Sequence, residues 1–217
     1  GLDPAGPDAA EETIVGPYIF MRGVRLHRDA LDGIIRAGVP RIPGGVRTLP
    51  DGRVVARVMP TDLLDRLAYL RVHADVWMDR TVTAETLPAT MATAYRTPPT
   101  GRVCLVLGAG NASSIGPLDA IHKLFVEQQV VVLKLHPVMA HLAEVQAAAL
   151  APLVREGVVR IINGDHVQGA HLAGHAGVDT LHITGADRTY DAIVYGPGVE
   201  GAERRRRDDP VLDRALE

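Results

Sequence analysis

With 217 residues, 47% of them hydrophobic and only 4% aromatic, the chain can form one large domain or two small ones around a core of Ala, Val, Leu and Ile. Its formal net charge of −3 argues against a nucleic-acid-binding protein, which usually carries a basic excess. Cys104 is the single cysteine, so an internal disulfide is excluded and a reducing, cytoplasmic setting is expected, and no apolar run approaches the roughly 18 residues of a membrane span.

The sequence pattern of the N-terminal part predicts a mixture of helices and short strands. Residues 1–11 are small, acidic and Pro-containing, and we expect them to be loose, whereas residues 12–100 are expected to belong to the same domain as the remainder. Apolar residues at helical spacing predict a helix over 12–37, which Gly38-Val39-Pro40 ends. The further predicted elements are a loop over 40–52, a strand over 53–58, a helix over 60–70, a strand over 74–78 and a helix over 83–95 that Thr83 caps.

From residue 101 onward, short apolar runs of strand length alternate with helical patterns. The predicted strands cover 103–107, 130–135, 158–162 and 180–184, and the predicted helices cover 116–127, 138–156 with a possible kink at Pro152, 165–175 and 187–194. Such alternation implies a parallel sheet, and nearly continuous apolar strands imply that both of its faces are buried. The predicted fold is therefore α/β, with a doubly wound, Rossmann-like parallel sheet over 101–217 that carries helices on both faces.

Small and polar residues directly follow the predicted strands, where an open parallel sheet binds its ligands. The residues after the first strand are Gly108-Ala109-Gly110-Asn111, and Lys134 ends the second strand. Glycines there let a ligand approach the backbone closely, and helix N-termini attract phosphate. The complete dinucleotide fingerprint is absent because Ser113 stands at its third glycine, so a tight strand-to-helix turn explains Gly108-Ala109-Gly110 equally well.

Taken together, these turns indicate a protein family more specifically than any one of them does alone. The segment 103–196 resembles the aldehyde dehydrogenase superfamily. The resemblance is carried by Leu107-Gly108-Ala109-Gly110-Asn111, Val131-Val132-Leu133-Lys134, Gln168-Gly169-Ala170-His171, His175-Ala176-Gly177-Val178-Asp179 and Ile183-Thr184-Gly185-Ala186.

The resemblance implies roles for these residues. Asn111 matches the asparagine whose amide helps to hold the oxyanion formed when a thiolate attacks an aldehyde, which makes it the one catalytic candidate in the chain. Lys134 matches the lysine that contacts the adenosine ribose of NAD or NADP, and Gly169 matches the glycine near the pyrophosphate. The turn Thr184-Gly185-Ala186 matches the Thr-Gly-Ser turn under the cofactor. The resemblance further implies an aldehyde substrate, no membrane or nucleic-acid partner, and a homo-oligomer when the protein is complete.

Three departures from the family limit what the resemblance implies. Lys134-Leu135-His136-Pro137 lacks the glutamate that binds the ribose hydroxyls, so NAD and NADP cannot be distinguished, and Ala186 replaces a serine. The family's cysteine nucleophile and Glu-Leu-Gly base are expected beyond Glu217, so we expect a fragment that is inactive alone. An acyl-CoA or acyl-phosphate reductase of the same superfamily and a binding module without catalysis both remain open.

Three other features have simpler interpretations than a catalytic or metal site. Cys104 lies within an apolar strand, where a cysteine behaves as a small hydrophobic residue. His171 and His175 share a helix face near His166, but no H-E-x-x-H pattern accompanies them, so no metal site is predicted. The run Arg204–Arg207 is flanked by acidic residues, which predicts a solvated helix held by ion pairs.

Overall fold

The structure is a computed structural model that describes residue 3, residues 5–212 and the backbone of residues 215 and 216. The chain divides into two compact units. The parallel-sheet unit comprises Gly1–Arg25 together with Pro99–Glu217, and the antiparallel unit comprises Leu26–Pro98. Each unit has a sheet of its own.

A long N-terminal helical segment is contained partly in each unit. It consists of α1 (Pro7–Thr13), a π-helical turn (Ile14–Tyr18) and α2 (Ile19–Ala37). The expectation that residues 7–11 are loose is wrong, because the helix begins at Pro7, whose fixed φ suits a first helical position, and Asp8 lies in the first turn. Pro17 lies inside the π-helical turn. The same expectation for residues 1, 2 and 4 falls outside the described residues.

The antiparallel unit contains a three-stranded sheet in the order β1-β2-β3. Its elements are β1 (Val46–Thr48), β2 (Val54–Met59), α3 (Leu63–Ala68), β3 (Ala74–Trp77), α4 (Leu87–Thr90) and a 3-10 turn (Thr93–Arg96). The predicted loop over 40–52 is wrong at Val46–Thr48, because these residues pair with β2 as an antiparallel hairpin. The predicted continuous helix over 83–95 is wrong. Only α4 and the 3-10 turn are helical there, because Ala92 between them adopts the left-handed conformation with φ 50°.

Asp75 connects the strands of this sheet through ion pairs. Arg47 Nη2 lies 2.7 Å from Asp75 Oδ2, and Arg57 Nε lies 2.9 Å from Asp75 Oδ1. The hydrogen bonds from Arg57 and Arg47 hold the pKa of the Asp75 carboxyl well below its usual range. Because Arg47, Arg57 and Asp75 lie on three different strands, one carboxylate connects the whole sheet.

The parallel sheet confirms the predicted fold class. Its strands are β4 (Val103–Leu107), β5 (Val130–Lys134), β6 (Val159–Ile162), β7 (Thr180–Ile183) and β8 (Ala215–Leu216). They lie in the order β6-β5-β4-β7-β8, and every pair is parallel. Numbered from β4, this is the order 3-2-1-4-5, which corresponds to the first five strands of the 3-2-1-4-5-6 order of one common type of doubly wound sheet. The sequence prediction did not include β8.

Helices cover both faces of this sheet. They are α5 (Ile115–Phe125), a 3-10 turn (Pro137–Leu142), α6 (Ala143–Ala149), α7 (Ala151–Arg155), α8 (His166–Ala173), α9 (Asp187–Val194) and α10 (Gly198–Arg207). The predicted single helix over 138–156 is wrong, because it divides into a 3-10 turn and two helices, with Pro152 in the first turn of α7.

Alternation along the strands separates two apolar cores. Cys104 and Val106 of β4 pack with Ala120 and Ile121 of α5 on one face, where α6 and α7 also contribute. Leu105 of β4 packs with residues of α8 and α9 on the other face. Successive strand side chains point to opposite faces, so a continuous apolar strand can fill both cores. None of the described helices is both long enough and apolar enough to cross a membrane.

Candidate functional site

The sequence-predicted site residues all follow or end strands at the carboxyl edge of the parallel sheet. The strand order reverses between β4, from which the chain goes on to β5, and β7, which is the neighbour on the opposite side. Doubly wound sheets bind ligands in the crevice at such a switch point. The turn that contains Asn111 and the turn that contains Thr184 follow these two strands and therefore flank it.

A close approach between strand and helix shapes the first turn. The Gly108 amide donates a hydrogen bond of 2.9 Å to the carbonyl oxygen of Lys134. A Cβ atom added to Gly116, in the first turn of α5, would lie 3.4 Å from Gly108 Cα and 3.3 Å from Leu133 Cδ1. Gly116 thus provides the close packing between helix and strand that the third glycine provides in the dinucleotide fingerprint. The sequence therefore contains a glycine with this role, but it comes after the position that the fingerprint predicts, which Ser113 occupies.

Asn111 is exposed at the end of this turn, and the residues on either side of it are held in place. The His136 ring packs against Gly110 so closely that a Cβ atom on Gly110 would lie 2.5 Å from His136 Nδ1. On the other side, Ser113 Oγ donates to Glu12 Oε1 and Ser114 Oγ donates to the Val15 carbonyl oxygen, both at 2.5 Å. The Asn111 side chain is therefore presented to solvent from an anchored backbone.

Lys134 is a buried charged residue at this edge. It is only 7% exposed, and its Cε and Nζ atoms lie 3.9 and 4.0 Å from the position of a Cβ atom on Gly169. Burial lowers the pKa of the Lys134 ammonium, and the charge of Asp165 opposes that shift. Within the part of the chain that the structure describes, no carboxylate forms an ion pair with Lys134. A buried cation without an ion pair is costly, so a polar or anionic ligand is its natural complement.

Asp165 caps α8 beside Lys134, a role that sequence analysis did not predict. Its carboxylate accepts a 2.7 Å hydrogen bond from the Val167 amide, and the Gln168 side chain accepts one of 2.9 Å from the Asp165 amide. This reciprocal capping box satisfies amides that a phosphate group would otherwise use. The Asp165/Gln168 spacing is the signal that could have identified it. Gly169 is buried one turn further along the helix.

The turn after β7 has one side-chain anchor. Thr184 Oγ1 donates a 2.9 Å hydrogen bond to Asp119 Oδ2 of α5, while Gly185 and Ala186 are exposed. His182 Nε2 lies 3.4 Å from the same carboxylate oxygen. Sequence analysis missed Asp119 and His182, although a histidine within an otherwise apolar strand was a visible signal.

The simpler interpretations of Cys104 and of the arginine run are supported. Cys104 is fully buried in β4. The rings of His171 and His175 meet edge to face at 5.8 Å, and no group of three potential metal ligands occurs among the described residues. The arginine run forms α10 and is held by ion pairs to acidic residues. These pairs are Arg204–Glu200, Arg205–Asp191, Arg206–Glu203 and Arg207–Glu203.

The sequence matches no model of a known protein family, and no curated protein matches it either. The resemblance to aldehyde dehydrogenases therefore stays a prediction from motifs. The support for a function comes from the carboxyl edge itself.

Proposed function

We propose that this chain forms the dinucleotide-binding part of an NAD- or NADP-dependent oxidoreductase similar to the aldehyde dehydrogenases. The observation that carries the proposal is Lys134, a buried cation at the carboxyl edge of a doubly wound sheet that forms no ion pair with any residue the structure describes. In such sheets this edge is where dinucleotides bind. A lysine that serves only folding has little reason to occupy this place, because burying its charge opposes folding.

The residues at the edge have a chemistry that suits a dinucleotide. Lys134 supplies the positive charge, and Gly169 has no side chain to obstruct the approach to it. The exposed Gly185 and Ala186 leave the opposite side of the switch point open. Lys134, Gly169 and the Thr184–Ala186 turn would hold the cofactor, and the bound nicotinamide would supply the hydride acceptor.

Asn111 is the residue of this chain that would act on the substrate. Its turn is anchored on both sides, which favours a preorganised donor for a developing oxyanion. In the proposed reaction a cysteine thiolate adds to the aldehyde carbonyl to form a thiohemiacetal, and Asn111 donates a hydrogen bond to the oxygen on which negative charge develops. An acyl-CoA or acyl-phosphate reductase would use the same donor and differ in the acceptor of the acyl group.

A second candidate function is dinucleotide binding without catalysis. The observation that favours it is Cys104, because the single thiol of the chain is inaccessible in the core of β4. For the oxidoreductase, the nucleophile would have to lie outside these 217 residues. A single buried cysteine also agrees with a reducing, cytoplasmic location, which is part of the proposal.

The test is isothermal titration calorimetry of the 217-residue chain with NAD+ and NADP+. Lys134→Met keeps the aliphatic stem and removes the charge, so we expect it to raise the dissociation constant about tenfold or more, equivalent to about 1.4 kcal/mol. Arg155→Met is the matched control, because Arg155 is exposed at the end of α7, where the chain leads into the amino end of β6. The control should leave affinity unchanged. Absence of binding by the wild-type chain, or equal losses in both variants, would contradict the proposal.

A further inference from the structure

We infer that Asp119 is a positioning residue that fixes the Thr184–Gly185–Ala186 turn for dinucleotide binding. The inference rests on the proposed function and assigns a role to a carboxylate that neither the motifs nor the fold single out. Asp119 lies on α5, in the helix that follows the Asn111 turn, whereas Thr184 follows β7. Their hydrogen bond therefore joins the two sides of the switch point.

The contact is suited to fixing a backbone turn. Thr184 Oγ1 donates to Asp119 Oδ2 at 2.9 Å, and the Asp119 side chain is only 21% exposed, so solvent competes weakly for it. Hydrogen bonds to a charged acceptor are stronger than those between neutral groups. Ala186 is the N-cap of α9 and has no side-chain cap, so the Thr184 side chain is the anchor of this turn.

The direction of the hydrogen bond restricts what the turn can recognise. A threonine hydroxyl has one proton, and Asp119 already accepts it, so Oγ1 is left as an acceptor. Such an oxygen can receive an O–H or N–H group of a ligand but cannot donate to a phosphate oxygen. The negative charge of Asp119 further disfavours phosphate here. The phosphates of the dinucleotide are thus directed toward Lys134, and a hydroxyl or amide group toward Thr184.

His182 lies beside the same carboxylate. Its Nε2 atom lies 3.4 Å from Asp119 Oδ2, with the imidazole side chain 22% exposed. Among the described residues, neither ring nitrogen of His182 makes a hydrogen bond. Asp119 thus lies between a threonine donor and an imidazole, both of which are supplied by β7 and its following turn.

A double-mutant cycle read by calorimetry with NAD+ and NADP+ tests the inference. We expect Asp119→Ala and Thr184→Val each to raise the dissociation constant about tenfold, and the double variant to be no weaker than either single variant. Asp119→Asn and Thr184→Ser keep an acceptor and a hydroxyl, respectively, and should restore affinity to within about threefold of wild type, because uncharged hydrogen bonds are only moderately weaker. A loss in the nearly isosteric Thr184→Val, together with rescue in the smaller Thr184→Ser, would not follow from a general loss of packing.

A measurement without ligand keeps the test decisive if Asp119→Ala fails to fold. Thr184→Val is nearly isosteric, so it should fold, and the 15N amide resonance of Ala186, which does not adjoin the substituted residue, reports on the turn. That resonance should shift in Thr184→Val and return in Thr184→Ser, and an unchanged Ala186 resonance would overturn the inference. Wild-type binding that depends on Lys134 but is unaffected by Asp119→Ala, or additive losses in the double variant, would overturn the inference alone. Absence of any wild-type binding would overturn it together with the proposed function.

Discussion

The ammonium group of Lys134 loses its proton at a lower pH than an ordinary lysine, because burial lowers its pKa and Asp165 offsets only part of the shift. Under the proposed function, a bound dinucleotide would supply negative charge and raise that pKa again. We therefore expect the affinity to be greatest below the pKa of Lys134 in the free protein and to decline as the pH rises through it. Calorimetric titrations from pH 7 to pH 10 should show this decline in the wild-type chain. The affinity of Lys134→Met should be flat over that range, and an equal decline in the variant would contradict the assignment.

The candidate site residues differ in how well the sequence predicted their places in the fold. That Lys134 ends a strand was predictable from the apolar run before it. The contact between Asp119 and Thr184 was not, since an aspartate at one position of an amphipathic helix looks like a surface residue until the fold brings Thr184 to it. The packing role of Gly116 could not be predicted from the sequence, because it depends on the distance from Gly108 in space and not on motif spacing.

The packing of α10 depends on a glycine contact. A Cβ atom on Gly201 would lie 1.7 Å from the Gly196 carbonyl oxygen, so the helix must move to accept any side chain. Gly201→Ala should lower the free energy of unfolding by about 1–3 kcal/mol in urea denaturation, as overpacking does. In a helix without this contact, the same change would raise the free energy of unfolding by about 0.5–1 kcal/mol. The sign of the measured change therefore shows whether the contact is present.

The matched control for this change is Gly174→Ala at the end of α8. A Cβ atom there would meet its nearest neighbour, the Ala170 carbonyl oxygen, at an ordinary 3.6 Å. Its free energy of unfolding should stay within about 0.5 kcal/mol of wild type. A stabilised Gly201→Ala variant would show that α10 does not pack against Gly196 as described.

Local sequence determined the elements of the parallel sheet better than those elsewhere. Strands β4 to β7 were predicted because each is an apolar run bounded by glycine or polar residues. Residues Val46–Thr48 were predicted as loop because their strand exists only through pairing with β2. The helix predicted over 83–95 failed for a comparable reason, since the left-handed backbone at Ala92 is not encoded in helical periodicity.

At the scale of the whole molecule, the proposed function belongs to the parallel-sheet unit. Its carboxyl edge contains Lys134, Gly169 and the Asn111 and Thr184 turns, all of which come from segments after residue 99. The antiparallel unit has its own ion pairs at Asp75 and contributes none of these groups.

The most direct test of the central claim is a two-dimensional 15N NMR titration of the wild-type chain with NAD+ and NADP+. The account predicts that the largest saturable shifts fall on the amides of residues 108–111, 134–136, 165–169 and 184–186. Saturable shifts centred on the amino ends of the parallel strands or on the sheet of residues 46–77 would contradict it, as would a spectrum that neither cofactor changes.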